Sequence, residues 1–274
     1  RRIDETAGPL FPAAATTMSD ANTKNVGLFV TCLVDLMRPS VGFAAARLLE
    51  KNGCTVHVPG SQTCCGQPAY NAGDKADAQA LARNVITAFE QFYYIVAPSG
   101  SCAGMIKEHF PALLAEDADM SARAGAMAAK TYELMEFLHD VLGVSDTGAT
   151  FQGTVTYQDS CAGLRELGIK EQPRALMAAV DGLSLKELDD GESCCGFGGL
   201  FSVKYPDISG KIVDDKAVAI EKTGADVLLG GDLGCLMNIA GRLQRRDSTV
   251  KVRHLAEVLA GTTGEVPPIG ETKE

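Results

Sequence analysis

Tryptophan is absent from the 274 residues, and long apolar runs are absent with it. No stretch approaches the ~18–20 uncharged residues that a membrane helix requires. The best candidate, around Val26–Val30, has only the length of a strand. No transmembrane segment is therefore expected. Positive charge is also scarce: 25 Lys and Arg stand against 35 Asp and Glu, a formal net charge of −10. That balance excludes nucleic acid as an expected partner, because phosphate binding needs a basic face. It leaves open docking onto a basic patch of another protein. Loops for organic cofactors are missing too. No Walker A loop and no Gly-x-Ser-x-Gly elbow appears, and Gly196-Phe-Gly-Gly199 breaks the G-x-G-x-x-G spacing of a dinucleotide fingerprint. No apolar secretory core is visible near the start. The expected location is the cytoplasm, where disulfides are rare. Residues 1–24, rich in Ala, Thr and Pro at first and without periodicity, read as a tag or disordered N-terminus, with Met18-Ser19-Asp20 resembling a natural start.

What is present in excess is cysteine, nine in all. Eight of the nine fall into a repeat. Cys32, the triplet Cys64-Cys65-Gly66 and Cys102 are followed by Cys161, the triplet Cys194-Cys195-Gly196 and Cys235. The gap from the single cysteine to the pair agrees between the two sets to within one residue. Self-similarity of this kind identifies a duplicated unit. Two halves are expected, 25–148 and 149–274, with the boundary in the polar stretch around Gly148.

Short β-rich runs precede the cysteines in both halves: Asn25–Thr31, Cys54–Val58 and Tyr93–Ala97 in the first, and Gly153–Asp159, Leu183–Leu188 and Ala225–Leu229 in the second. Helical segments lie between them. Pro39–Lys51 starts on proline and stops at Asn52-Gly53. Asp74–Gln91 has Asp74 placed to cap, Pro173–Val180 is shorter, and Asp207–Thr223 ends at Gly224. Each half closes on a similar helix, Met135–Leu138 and Ala256–Leu259. Strands alternating with helices predict an α/β fold: two repeated halves, each with a mostly parallel sheet flanked by helices, related by a pseudo-twofold. Ligands of such sheets gather at the carboxyl ends of the strands. Three of the four cysteine sites in each half fall there, just after an expected strand.

Thiolates are soft ligands that suit iron–sulfur clusters and zinc. A four-iron cluster is typically held by four cysteines. Each half supplies four from three loops. The expected metal ligands are Cys32, Cys64, Cys65 and Cys102, and Cys161, Cys194, Cys195 and Cys235, with two iron–sulfur clusters of the [4Fe–4S] type. Zinc in one half is the competing assignment. Gly66 and Gly196 follow the pairs and let the backbone turn tightly beside the cofactor. Buried structural thiols suit a lone cysteine such as Cys54, which has no counterpart in the second half and is expected in the core. They do not suit eight in matched spacing.

The strings Thr63-Cys-Cys-Gly-Gln-Pro68, Ser99-Gly-Ser-Cys-Ala-Gly-Met105 and Glu192-Ser-Cys-Cys-Gly-Phe-Gly-Gly199 resemble the cysteine-rich CCG domain in duplicate, over about Asn25–Ala260. That domain occurs in the B subunit of heterodisulfide reductase and in iron–sulfur subunits of glycolate and glycerol-3-phosphate oxidation systems. The chain is most similar to its stand-alone, L-lactate-oxidising branch. The resemblance implies an electron-transfer subunit of an oxidoreductase complex that converts L-lactate, or a related 2-hydroxy acid, to pyruvate or the matching keto acid. It also implies two partners, a larger iron–sulfur protein and a small companion. One departure matters. The heterodisulfide reductase arrays end in Cys-x-x-Cys, with a fifth thiolate for a noncubane cluster. Met105 and Asn238 stand at those positions here, so four-ligand sites are expected. The rival readings are a catalytic disulfide or heterodisulfide reductase subunit and a zinc-stapled scaffold.

Other polar residues are weaker candidates. Asp35, Arg38, Asp159 and Arg165 flank the first cysteine of each set. An arginine there suits a carboxylate clamp, although an ordinary structural charge is the commoner role. Lys204-Tyr205 is weighed the same way. His57, His109, His139 and His254 show no metal-ligand spacing. Gln67, Pro68 and Phe197 are expected to shape the cofactor pocket.

Overall fold

The computed structural model describes residues 24–189 and 191–272. The expectation of a tag or disordered start falls on 1–24, almost entirely outside the described residues.

Eight strands form two sheets of four. The first sheet holds β1 (Asn25–Leu28), β2 (Thr55–His57), β3 (Tyr94–Ala97) and β4 (Thr131–Glu133). The second holds β5 (Thr150–Gln158), β6 (Asp181–Leu185), β7 (Val227–Gly230) and β8 (Lys251–His254). The strand orders are β2-β1-β3-β4 and β6-β5-β7-β8, and every pairing is parallel. The expected α/β class with two repeated halves is thus what the chain adopts. The sequence reading found three strands per half and missed β4 and β8. Both run directly into a helix, Leu134–Glu136 and Leu255–Leu259, with no Gly or Pro to mark the strand's end.

Parallel sheets have both faces covered, so their central strands are continuously apolar. Ile95-Val96-Ala97 and Val227-Leu228-Leu229 are buried throughout. One face of each sheet turns inward, with Val26, Leu28 and Val96 from one and Val155, Tyr157 and Leu229 from the other sharing a single core. The outward faces have separate cores, around Phe29, Phe89 and Ile95 in the first half and around Leu228, Leu236 and Val252 in the second. Gly27 has a packing reason: a Cβ there would meet the Phe92 ring at 2.4 Å.

The helices follow their sequence signals. Pro39–Lys51 begins with proline in its first turn, and Asp74 accepts the Asp77 N–H to cap Lys75–Phe89. The two halves meet reciprocally. Helix Cys32–Met37 of the first contacts Leu233–Arg245 of the second, while Cys161–Arg165 of the second contacts Gly100–Gly104 of the first. Likewise Pro39–Lys51 packs on Leu255–Leu259, and Glu171–Ala178 packs on Leu134–Glu136. Exchanged contacts of this kind are the signature of a pseudo-twofold. Gly100 permits the closest crossing, since a Cβ there would lie 2.6 Å from Ser160 Oγ and 3.0 Å from the Gly163 backbone.

Both sheets change winding direction between their first and third strands. Such switch points open a crevice at the carboxyl ends of the strands, and the cysteine loops leave from there.

Candidate metal-binding site

In the first half, Cys32 begins the helix that follows β1, the pair Cys64-Cys65 lies on the loop after β2, and Cys102 sits in the helix after β3. The Sγ atoms of Cys32 and Cys64 are 3.7 Å apart, and those of Cys65 and Cys102 are 3.5 Å apart. In the second half Cys161, Cys194-Cys195 and Cys235 occupy the matching positions. Cys195 and Cys235 approach to 2.8 Å, and Cys161 hydrogen-bonds Cys194. The structure therefore brings together each set of four that the spacing grouped. Cys54 is apart from them, buried in the inner core.

The loops are held by short-range polar contacts. Gly66 and Gly196 adopt φ of +85° and +79°, a region that favours glycine. Their N–H groups point back to the sulfurs of Cys64 at 3.5 Å and Cys194 at 3.3 Å. Ser99 Oγ accepts the Cys102 N–H at 3.3 Å, and Gln67 donates to the Ser101 carbonyl at 3.4 Å. Ser209 donates to the Gly196 carbonyl at 2.7 Å.

Two contributors escaped the sequence reading. Thr31, just before Cys32, holds φ +75° without being glycine, a conformation that costs about 1–3 kcal/mol. Gln62 accepts the Val30 N–H at 2.9 Å and so ties the CCG loop to the end of β1. A non-glycine residue at positive φ leaves no mark in composition. Gln62 had a signal in its position two residues before the pair.

Electrostatics single out the first cysteine of each pair. A hydrogen bond from Cys32 pulls the Cys64 thiol well down, and one from Cys161 does the same to Cys194. Cys32 and Cys161 move up for the same reason, joined by burial. Cys65 is pushed up first by its hydrogen bond to Cys102, and Cys195 first by Cys194. Each set thus favours a thiolate at its centre, and the thiolate is the metal-binding form. Four thiols drawn from three loops are the donor set of a metal or metal–sulfur centre.

A cavity of about 270 Å³ adjoins the first set. Gln67, Pro68 and Phe197 line it, as expected, together with Leu200, Val203 and Asp232. The last four belong to the second half, so the second CCG loop roofs the first half's cysteines.

The candidate clamps prove structural. Arg38 donates two hydrogen bonds to Glu257, at 2.8 and 2.9 Å, and a third to the Pro267 carbonyl at 2.7 Å. Arg165 donates to the Glu192 carbonyl, and Asp159 is paired with Arg174. Asp35 lines a second cavity beside Cys32 and Cys64. Tyr205 is exposed and packs against Phe201 with the rings tilted at 42°. Neither lost fifth-cysteine position is idle. Met105 is fully buried in the first half's outer core, and Asn238 donates to the Cys195 carbonyl at 2.9 Å.

Comparison with known proteins agrees with this layout. A family model described as a cysteine-rich domain, CCG, matches residues 26–107 and again 155–240. Lactate utilization protein A of Anoxybacillus flavithermus is 51% identical over 235 residues, covering 86% of this chain and 98% of that protein. The chain belongs to the lactate utilization protein A family. The Bacillus subtilis member is 50% identical over 234 residues, covering 85% of this chain and 98% of its own. A solved structure of a hypothetical protein from Helicobacter pylori shares the fold, with a TM-score of 0.64 at 13% identity. That match covers 91% of this chain and half of the other. In this member of the lactate utilization protein A family, the two matched segments carry the two sets of cysteines.

Proposed function

We propose that the chain is an iron–sulfur electron-transfer subunit of a complex that oxidises L-lactate, or a related 2-hydroxy acid, to pyruvate or the matching keto acid. The observation that carries this reading is the gathering of two sets of four thiols, in a chain half identical to lactate utilization protein A. The assigned ligands are Cys32, Cys64, Cys65 and Cys102 in the half 25–148, and Cys161, Cys194, Cys195 and Cys235 in the half 149–274.

The residues suit the group. Each sulfur set runs as a chain from loop to loop. Four soft thiolates per half suit a four-iron cluster, and zinc is the competing occupant. Gly66 and Gly196 leave the backbone room to lie against it. When bound, such clusters supply one-electron transfer. Lactate oxidation releases two electrons and two protons, so two one-electron centres match it. The protein's own contribution is to hold the thiolates, to donate N–H groups from Gly66 and Gly196, and to cover the first site with Phe197, Leu200 and Val203.

No helix among the described residues is long and apolar enough to cross a membrane. We place the chain in the cytoplasm, working with a larger iron–sulfur protein and a small companion. Co-purification from the native host tests this. The expected result is a multi-subunit complex that oxidises L-lactate and loses that activity when Cys65 or Cys195 is replaced by serine. A chain that purifies alone, with lactate oxidation unaffected by its removal, overturns the assignment.

A further inference from the structure

A buried polar junction at the meeting of the two halves has no part in the role just described. Its centre is Glu133, the last residue of β4, only 3% exposed. Its Oε2 caps the following helix by accepting the N–H groups of Met135 at 2.6 Å and Glu136 at 3.3 Å. Its Oε1 has no hydrogen-bond partner. This oxygen faces the second half. It lies 3.5 Å, and the Tyr157 hydroxyl 3.3 Å, from the point where a side chain on Gly231 would begin. Glycine at 231 thus leaves a space that polar groups of both halves share.

The pseudo-twofold mate of Glu133 is His254, the last residue of β8 and fully buried. Its Nδ1 accepts the Ala256 N–H at 3.2 Å. Asp232 stands near both, and its Oδ2 accepts from Ser99 Oγ and from the Ser101 N–H, each at 3.0 Å. Ser99 in turn accepts the Cys102 N–H, and Asp232 stands at the start of the helix that carries Cys235. The junction therefore borders both cysteine sets.

A buried carboxylate with an orphan oxygen is costly, and a neutral carboxyl there costs less. The groups facing Glu133 do not offset its charge. Glu136 on its own helix is paired with Lys107. Asp232 on the loop after β7 is acidic. Tyr157 on β5 is neutral, and beyond it Asp159 is paired with Arg174. On β8 and its helix, His254 is driven toward the neutral form by burial, and Glu257 is held by Arg38. Burial first, and then Glu136 and Asp232, push the Glu133 carboxyl up to about 8 against two capping N–H groups that pull it down.

We propose that Glu133 is an internal proton site: it holds one exchangeable proton at the junction and binds it more tightly when a neighbouring centre gains an electron. The electron comes from the donor in the lactate-oxidising complex, and the proton comes from water. This inference rests on the iron–sulfur reading. Added negative charge near a carboxyl favours its protonated form, so reduction and proton binding reinforce each other.

The test is a redox titration of the full, cluster-loaded chain at a series of pH values. Below pH 8 the midpoint potentials should stay level. Above it, at least one should fall, approaching 59 mV for each tenfold drop in proton concentration. Glu133→Gln should remain level throughout. Infrared pH titration of the wild-type chain gives a readout that needs no variant. A protonated-carboxyl band should vanish with a midpoint near 8 and persist to higher pH after reduction. Level wild-type potentials, a slope retained in Glu133→Gln, or no protonated carboxyl at pH 7 overturns the inference while leaving the clusters in place. A chain that loads no iron overturns the underlying reading instead.

Discussion

The side-chain amide of Asn238 donates to the main-chain carbonyl of Cys195 at 2.9 Å, joining the helix that carries Cys235 to the second CCG turn. Asn238 occupies the place where five-cysteine arrays carry their last thiol. Here that place stiffens the backbone of a proposed ligand. Replacing it with alanine leaves the carbonyl without its partner, at a cost of about 1–2 kcal/mol. Asn238→Ala should lose iron from the second half preferentially, and Asn238→Asp should do the same because it lacks the N–H donor. Iron per chain, compared with wild type, checks both.

Arg38 and Glu257 form a bond between the two halves. Glu257 is fully buried and also accepts from Ser40 at 2.7 Å. Removing one partner of such a pair strands a buried charge, at about 3–5 kcal/mol. Arg38→Met should lower the thermal midpoint sharply without changing which cysteines hold iron. Chemical denaturation of the variant measures the loss, and its iron content separates this bond from a role in the site.

Gly196 couples a backbone requirement to the site. Its φ is +79°, and a Cβ there would sit 2.8 Å from the Ser209 carbonyl oxygen. Gly196→Ala should therefore displace the second CCG turn and reduce iron loading to about half. Gly199, also at positive φ but with open space around it, is the comparison. Its alanine variant should keep full loading.

Stability should depend on pH through two buried groups of opposite sign. Glu133 keeps its proton up to about 8 in the folded chain but releases it near 4.5 when unfolded. Between those values the unfolded state binds fewer protons, so stability falls as pH rises, by at most about 1.4 kcal/mol per unit. Burial lowers the His254 value below its ordinary 6.5. The unfolded imidazole therefore charges first, and stability is lost as pH falls below 6.5. Glu133→Gln should flatten the decline toward pH 8, and His254→Gln the loss on the acid side. Anaerobic urea midpoints from pH 5 to 8.5 resolve the two.

The cysteine spacing made the repeat and the grouping of thiols legible, because core packing does not produce eight cysteines in matched spacing, and the alternation of strands with helices made the α/β class legible. The strands before Cys32, Cys65 and Cys102 were legible because Val, Ile and Tyr cluster in them. β4 and β8 were not, since each runs straight into a helix with no turn residue between. Leu233–Arg245 was hidden by the glycines at 230, 231 and 234, although Leu233, Leu236, Ile239, Ala240 and Leu243 line one helical face. The partners of Arg38 and the junction around Glu133 were out of reach, because they depend on how two distant halves dock.

Iron and acid-labile sulfide, counted per chain in anaerobically purified wild type, Cys65→Ser and Cys195→Ser, test the central claim most directly. The account predicts a brown protein with about eight of each in the wild type and about four of each in either variant. A colourless wild type with stoichiometric zinc, or variants that keep all their iron, would contradict it.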